Sequence, residues 1–97
     1  MDIWRFEITK EAQLDLAKLD AQIKKRILIK LGWLINNFEY ITPIPLGEPL
    51  RGFFKLRVGD WRIAYEVEDA RKLVTVHVID RRDKVYKKLF RRKQVSK

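Results

Sequence analysis

The sequence predicts an α+β fold in which an N-terminal strand and a helical hairpin pack on a small antiparallel sheet, with a short helix or tail at the C-terminus. Apolar residues at Ala12, Leu16, Leu19, Ile23, Ile27, Leu31 and Leu34 recur at spacings of three and four, a long stripe of helical period. Phe53 to Val58 and Trp61 to Val67 instead alternate with period two around Gly59-Asp60, the pattern of two strands joined by a tight turn. A chain of 97 residues with 46% apolar composition suffices for a single domain, residues 1–97, on one core.

Taken in order, Ile3 to Ile8 is rich in β-formers and reads as the first strand. Thr9 is placed to cap a helix with Glu11 in its first turn. Asp20 can cap a second helix from Ala21, which divides the stripe into a hairpin. From Glu39 to Gly52, three prolines and two glycines punctuate a connecting loop in which no periodicity survives. A two-residue turn at Gly59-Asp60 sets Val58 across from Trp61, Leu56 from Ile63 and Phe54 from Tyr65, so that one side of this hairpin is apolar and covers the helices. Lys72 to Ile79 supplies the third strand of the meander. There Val74, Val76 and Val78 are expected in the core, and Thr75, His77, Ile79 and Arg81 on the opposite face. The segment from Asp80 to Lys97 is dominated by cations and reads as a short helix with a frayed end.

Charge narrows the function. Against 13 Asp and Glu stand 22 Lys and Arg, a net charge of +9, which favours polyanionic partners, with nucleic acid first among them. The absence of cysteine excludes disulfides, thiolate metal sites and cysteine nucleophiles, and the single His77 cannot build a metal site alone. The N-terminus is charged from its second residue and no apolar run reaches membrane-spanning length, so the expectation is a cytoplasmic protein with no membrane partner.

The outer side of the hairpin presents Lys55, Arg57 and Arg62, with Arg57 directly across from Arg62. Like charges so placed destabilise a sheet by up to ~1 kcal/mol, a cost that an anion held between them offsets. Tyr86 follows Arg81 by five residues and offers a ring on which a base can stack. The alternative is an ordinary solvated face, the usual fate of Lys and Arg. Ile29 and Trp33, spaced by four off the main stripe, form either an apolar strip for a partner helix or a surface buried by the C-terminal tail. Lys87, Lys88, Arg91, Arg92 and Lys93 are candidate phosphate contacts or a solvated tail, and His77 reads as a polar filler.

The run from Pro49 to Tyr65, containing Lys55-Leu56-Arg57-Val58-Gly59-Asp60-Trp61-Arg62, followed by Val74 to Ile79 and Arg81-Arg82-Asp83-Lys84-Val85-Tyr86, resembles the RelE/ParE toxin superfamily of type II toxin–antitoxin systems. The similarity to its RelE-like branch covers nearly the whole chain. It implies a ribosome-dependent mRNA endonuclease that inhibits translation by attack of an RNA 2′-hydroxyl on the adjacent phosphate, with neither metal nor cofactor. It also implies a RelB-like antitoxin partner in a toxin–antitoxin heterotetramer. By motif match, Lys55 takes the place of a catalytic lysine as base or charge stabiliser. Arg62 is assigned to the scissile phosphate, Arg81 to the leaving oxygen and Tyr86 to the message, with Arg57, Arg82, Lys87 and Lys88 as further phosphate contacts. Two positions depart from the pattern: a second lysine of RelE-type nucleases falls on Phe53, and a frequent histidine falls on Asp80. Two alternatives therefore stand, a ParE-like DNA gyrase inhibitor and a toxin-like domain that binds RNA without turnover.

Overall fold

Two side-chain caps decide where the first helices begin. The structure, a computed structural model, describes residues 3–95. After strand β1 (Arg5–Ile8) the Thr9 hydroxyl accepts from the Ala12 N–H at 3.1 Å and opens α1 (Lys10–Ala17). The Asp20 carboxylate accepts from the Ile23 N–H at 3.0 Å and opens α2 (Ala21–Asn36). Each cap satisfies an N–H that has no partner inside its helix. The apolar stripe is thereby split into the expected hairpin.

Strands β2 (Ile44–Pro45), β3 (Phe53–Val58), β4 (Trp61–Glu68) and β5 (Leu73–Arg81) follow, and α3 (Val85–Val95) closes the described chain. The sheet order is β1-β5-β4-β3-β2. The β3–β4 register pairs Val58 with Trp61, Leu56 with Ile63, Phe54 with Tyr65 and Arg57 with Arg62, as alternation around Gly59-Asp60 requires. Gly59 makes the turn at φ +60°, a backbone conformation that costs glycine little.

Three features correct the sequence reading. The sheet is mixed, because β1 joins β5 in parallel while the other pairings are antiparallel. Residues 44 and 45, expected in a loop, form the edge strand β2, whose pairing to β3 is dictated by its neighbour and tolerates Pro45 only because it is outermost. Finally, β5 carries a bulge: Tyr65 pairs with Val76 and Ala64 with Val78, leaving His77 unmatched. Beyond it the alternation changes sides. Val78 packs against Ala64 under α3, and Ile79, expected on the charged face, joins the core beneath the helical hairpin.

The sheet thus separates two apolar clusters. Ile27, Leu31 and Leu34 of α2 pack on Leu56, Val58, Ile63, Tyr65, Val74, Val76 and Ile79. On the other side, Val85 and Leu89 of α3 cover Leu50, Phe53, Ala64 and Val78. The face expected to be open and cationic is therefore partly roofed by the C-terminal helix. Residues 96 and 97, the end of the expected tail, lie outside the described residues. No described helix is long and apolar enough to cross a membrane.

One carboxylate ties the layers together. β1 ends opposite Val76, so the edge of β5 beyond it has no strand neighbour. The Ile79 N–H on that edge donates to Asp15 of α1 at 3.1 Å, and the His77 carbonyl accepts from Arg92 of α3 at 2.7 Å. Arg92 also grips Asp15 with two bonds, at 2.8 and 2.9 Å. Side chains from two helices stand in for the missing strand and pair the Ile79 N–H and the His77 carbonyl.

Candidate nucleic-acid interface

Of the cations singled out from the sequence, Arg57, Arg62, Arg81 and Arg82 fall at the turn end of the β3–β4 hairpin, Lys55 lies further along β3, and Lys87 and Lys88 lie on α3. Lys55, Arg57 and Arg62 alternate with core residues and face the α3 side of the sheet. Lys55 is half-buried beside α3, its Nζ 5.9 Å from the centre of the Tyr86 ring. Tyr86 sits in the first turn of α3 and packs against the second cluster. Arg57 is exposed at the end of β3.

Arg62 differs from its neighbours. It is 7% exposed, and its Nη1 donates to the carbonyls of Gly59 and Trp61 at 2.8 and 2.9 Å. The side chain therefore stiffens the turn as well as bringing charge to it. Arg26 of α2, not singled out from the sequence, reaches the same turn: a Cβ at Gly59 would lie 2.9 Å from its Nη2. Nothing in the helical periodicity marks Arg26, because its approach depends on tertiary packing.

Arg81 does not share the Lys55 face. The β5 bulge sets it opposite Trp61, with its guanidinium carbon 5.2 Å from the centre of that indole ring, on the hairpin side of the sheet. It remains at the same end of the sheet as Arg57 and Arg62. Arg82 is exposed next to it, its N–H bonded to the Asp60 carbonyl at 2.9 Å. Among the described residues no carboxylate pairs with Lys55, Arg57, Arg62, Arg81 or Arg82. Lys87 is exposed on α3. Lys88, in contrast, is committed to carboxylates, at 2.7 Å from Asp80 and 3.5 Å from Asp15.

The two departures from the resemblance acquire physical form. Phe53 is buried under α3 and meets His77 edge-on at 5.3 Å between ring centres, so an apolar anchor occupies the position of the second lysine. Asp80 lies across from Arg62 in the register but bonds Lys88. Partial burial by itself raises its pKa. The hydrogen bonds from Lys88 and the Arg81 N–H, with the charges of Lys88 and Lys84, outweigh that effect and hold its carboxyl below the usual carboxylate range. His77 bonds Glu66 at 2.6 Å.

The apolar strip on α2 is open, with Ile29 63% and Trp33 41% exposed and Lys30 4.0 Å from the Trp33 ring centre. The C-terminal helix does not cover it, since α3 lies on the other side of the sheet.

Comparison with known proteins addresses the fold and the family. No curated protein sequence matches the chain significantly. The toxin–antitoxin complex RelBE2 of Mycobacterium tuberculosis contains a chain 27% identical that superposes with a TM-score of 0.75, covering 84% of this chain and 100% of that one. A mutant of the Escherichia coli toxin RelE in the free state is 18% identical with a TM-score of 0.75, covering 94% and 98%. A chain of the archaeal RelE–RelB complex of Pyrococcus horikoshii is 20% identical with a TM-score of 0.66, covering 84% and 97%. The family model for the ParE toxin of the type II toxin–antitoxin system parDE matches residues 6–85. With its strand, hairpin, sheet and C-terminal helix in the same order as these toxins, the chain belongs to the RelE/ParE family of type II toxin–antitoxin toxins.

Proposed function

We propose that this toxin is an endoribonuclease that cuts messages bound to the ribosome. The observation that carries the reading is that Lys55, Arg57 and Arg62 share one face of the β3–β4 hairpin with no carboxylate among their partners in the described residues, Lys55 lying beside the Tyr86 ring, while Arg81 and Arg82 stand at the same end of the sheet. In the proposed reaction an RNA 2′-oxygen attacks the adjacent phosphorus. The 2′-hydroxyl passes its proton to solvent as its oxygen bonds to phosphorus, the bond to the 5′-oxygen breaks, and the departing oxygen takes up a proton from solvent. Negative charge accumulates on the phosphorane, and fixed cations lower the barrier by stabilising it. Lys55 is assigned to the nucleophile's side of the phosphate, Arg62 with Arg57 to its non-bridging oxygens, and Tyr86 to a stacked base. Arg81 and Arg82 approach from the far side of the sheet end, and Arg81 acts by its charge because a guanidinium gives up a proton only with great difficulty. Lys87 extends the phosphate track along α3.

The proposed partner is a RelB-like antitoxin, as in the toxin–antitoxin complexes of the similar structures. Its helix has an available seat on the Ile29–Trp33 strip. The second reading, inhibition of DNA gyrase, is favoured by Phe53, an apolar anchor where the nuclease pattern has a lysine. Cleavage of mRNA on programmed ribosomes, run beside a gyrase supercoiling assay, decides between them. Cleavage is expected for the wild type and its loss for the Arg62→Ala/Arg81→Ala double variant, whose folding is verified by thermal melting. Supercoiling inhibited with messages left intact refutes the nuclease.

A further inference from the structure

Beyond Tyr86, the outer face of α3 carries a second aromatic that the proposed reaction does not use. Phe90 is 42% exposed although Val85 and Leu89 of the same helix are fully buried. It lines an open groove with Pro49, Leu50, Tyr86, Lys87 and Arg91. The spacing has consequences. Tyr86 and Phe90 are four residues apart and share one stripe of the helix, separated by ~6 Å along its axis. Lys87 and Arg91 repeat the same spacing one position on, so a cationic stripe runs beside the aromatic one. Among the described residues neither cation is paired with a carboxylate. Parallel rows of rings and positive charges suit a single strand of nucleic acid, whose bases stack on the rings while its phosphates follow the charges.

We infer that the Tyr86–Phe90 groove is a base-binding subsite for single-stranded RNA, holding the nucleotide next to the one at the cleavage point. This deepens the nuclease reading and rests on it: Tyr86, whose ring centre lies 5.9 Å from the Lys55 Nζ, also lines the groove. The groove commits to RNA over a protein helix because its apolar floor is bordered by unpaired cations and by no carboxylate. Phe90 is a specificity residue, since it meets a base and not the reacting phosphate.

The test uses the full chain and a short 2′-O-methyl RNA, which lacks the nucleophile and cannot be cut, with 2-aminopurine next to the scissile position. Stacking on Phe90 is expected to quench the 2-aminopurine emission. Phe90→Ala should weaken binding about tenfold and restore the emission, while Phe90→Trp should retain both affinity and quenching. Unchanged affinity and quenching in Phe90→Ala overturn the subsite; if the wild type still cleaves messages, the nuclease reading survives that result. Absence of both RNA binding and ribosomal cleavage in the wild type overturns the two together. Since Phe90 is exposed, thermal melting of the Ala variant should match the wild type, and quenching preserved in an unfolded variant counts against the groove.

Discussion

At Asp15 a carboxylate with only 4% exposure receives bonds from the Ile79 N–H and from Arg92, with Lys88 3.5 Å away. Replacing it by alanine leaves an edge N–H without an acceptor and Arg92 without its counter-charge, Lys88 keeping Asp80. Asp15→Ala is expected to lower unfolding stability by ~3 kcal/mol, and Asp15→Asn by about half as much because its carbonyl can still serve Ile79. Urea denaturation midpoints measure both, and a loss below ~1 kcal/mol for the alanine would show that Asp15 does not hold the layers together. Gly59 is a second sensitive position. Its φ of +60° and the Arg26 nitrogen 2.9 Å from where a Cβ would sit lead us to expect that Gly59→Ala costs ~1 kcal/mol. Neither residue was legible from pattern alone: Asp15 interrupts an apolar helix face between Leu14 and Leu16, and its burial depends on a partner 77 positions away in sequence.

Elements whose local chemistry and long-range packing agree were readable in advance. Thr9 and Asp20 cap helices because their side chains act within three residues, and the β3–β4 register followed from a two-residue turn. The β5 alternation failed at Val78 because a bulge is a relation between two strands, and a run of valines reads the same with or without one. That failure carried into the site. Lys55, Arg57 and Arg62 lie on the face inferred for them, while Arg81 passes to the other. The docking of α3 also has a legible pH dependence. Asp80 has its folded pKa below the value near 3.9 of an unfolded chain. The stability it contributes is therefore complete above about pH 4 and disappears as pH falls through the lowered folded value. Thermal melting of the wild type should fall on acidification through this window, and Asp80→Asn should show a lower melting point at neutral pH with a shallower acid decline.

For the molecule as a whole, a net charge of +9 favours the proposed RNA ligand, and the phosphate contacts it makes set how that binding would respond to salt. Each phosphate contact to a single strand contributes ~0.7 to the slope of log affinity against log salt. Arg57→Ala should reduce that slope by about this amount, whereas Ile29→Ala should leave it unaltered, a comparison made by titration over a range of salt concentrations. At high pH another global property appears. Burial pushes the Tyr65 phenol up to about 12, so unfolding releases a proton between pH ~10 and 12 and stability declines with rising pH across that interval. Absorbance titration of the phenolate with parallel melting checks it. The unmatched His77 has a wider effect, since it makes β5 contribute to both apolar clusters: Val74 and Val76 to one, Val78 to the other, Ile79 back to the first. Were the strand to run through that position without a bulge, strict alternation would carry Val78 to the side of the helical hairpin and Ile79 beneath α3, so the extra residue is what keeps each downstream side chain on its own layer and the C-terminal helix on its footing.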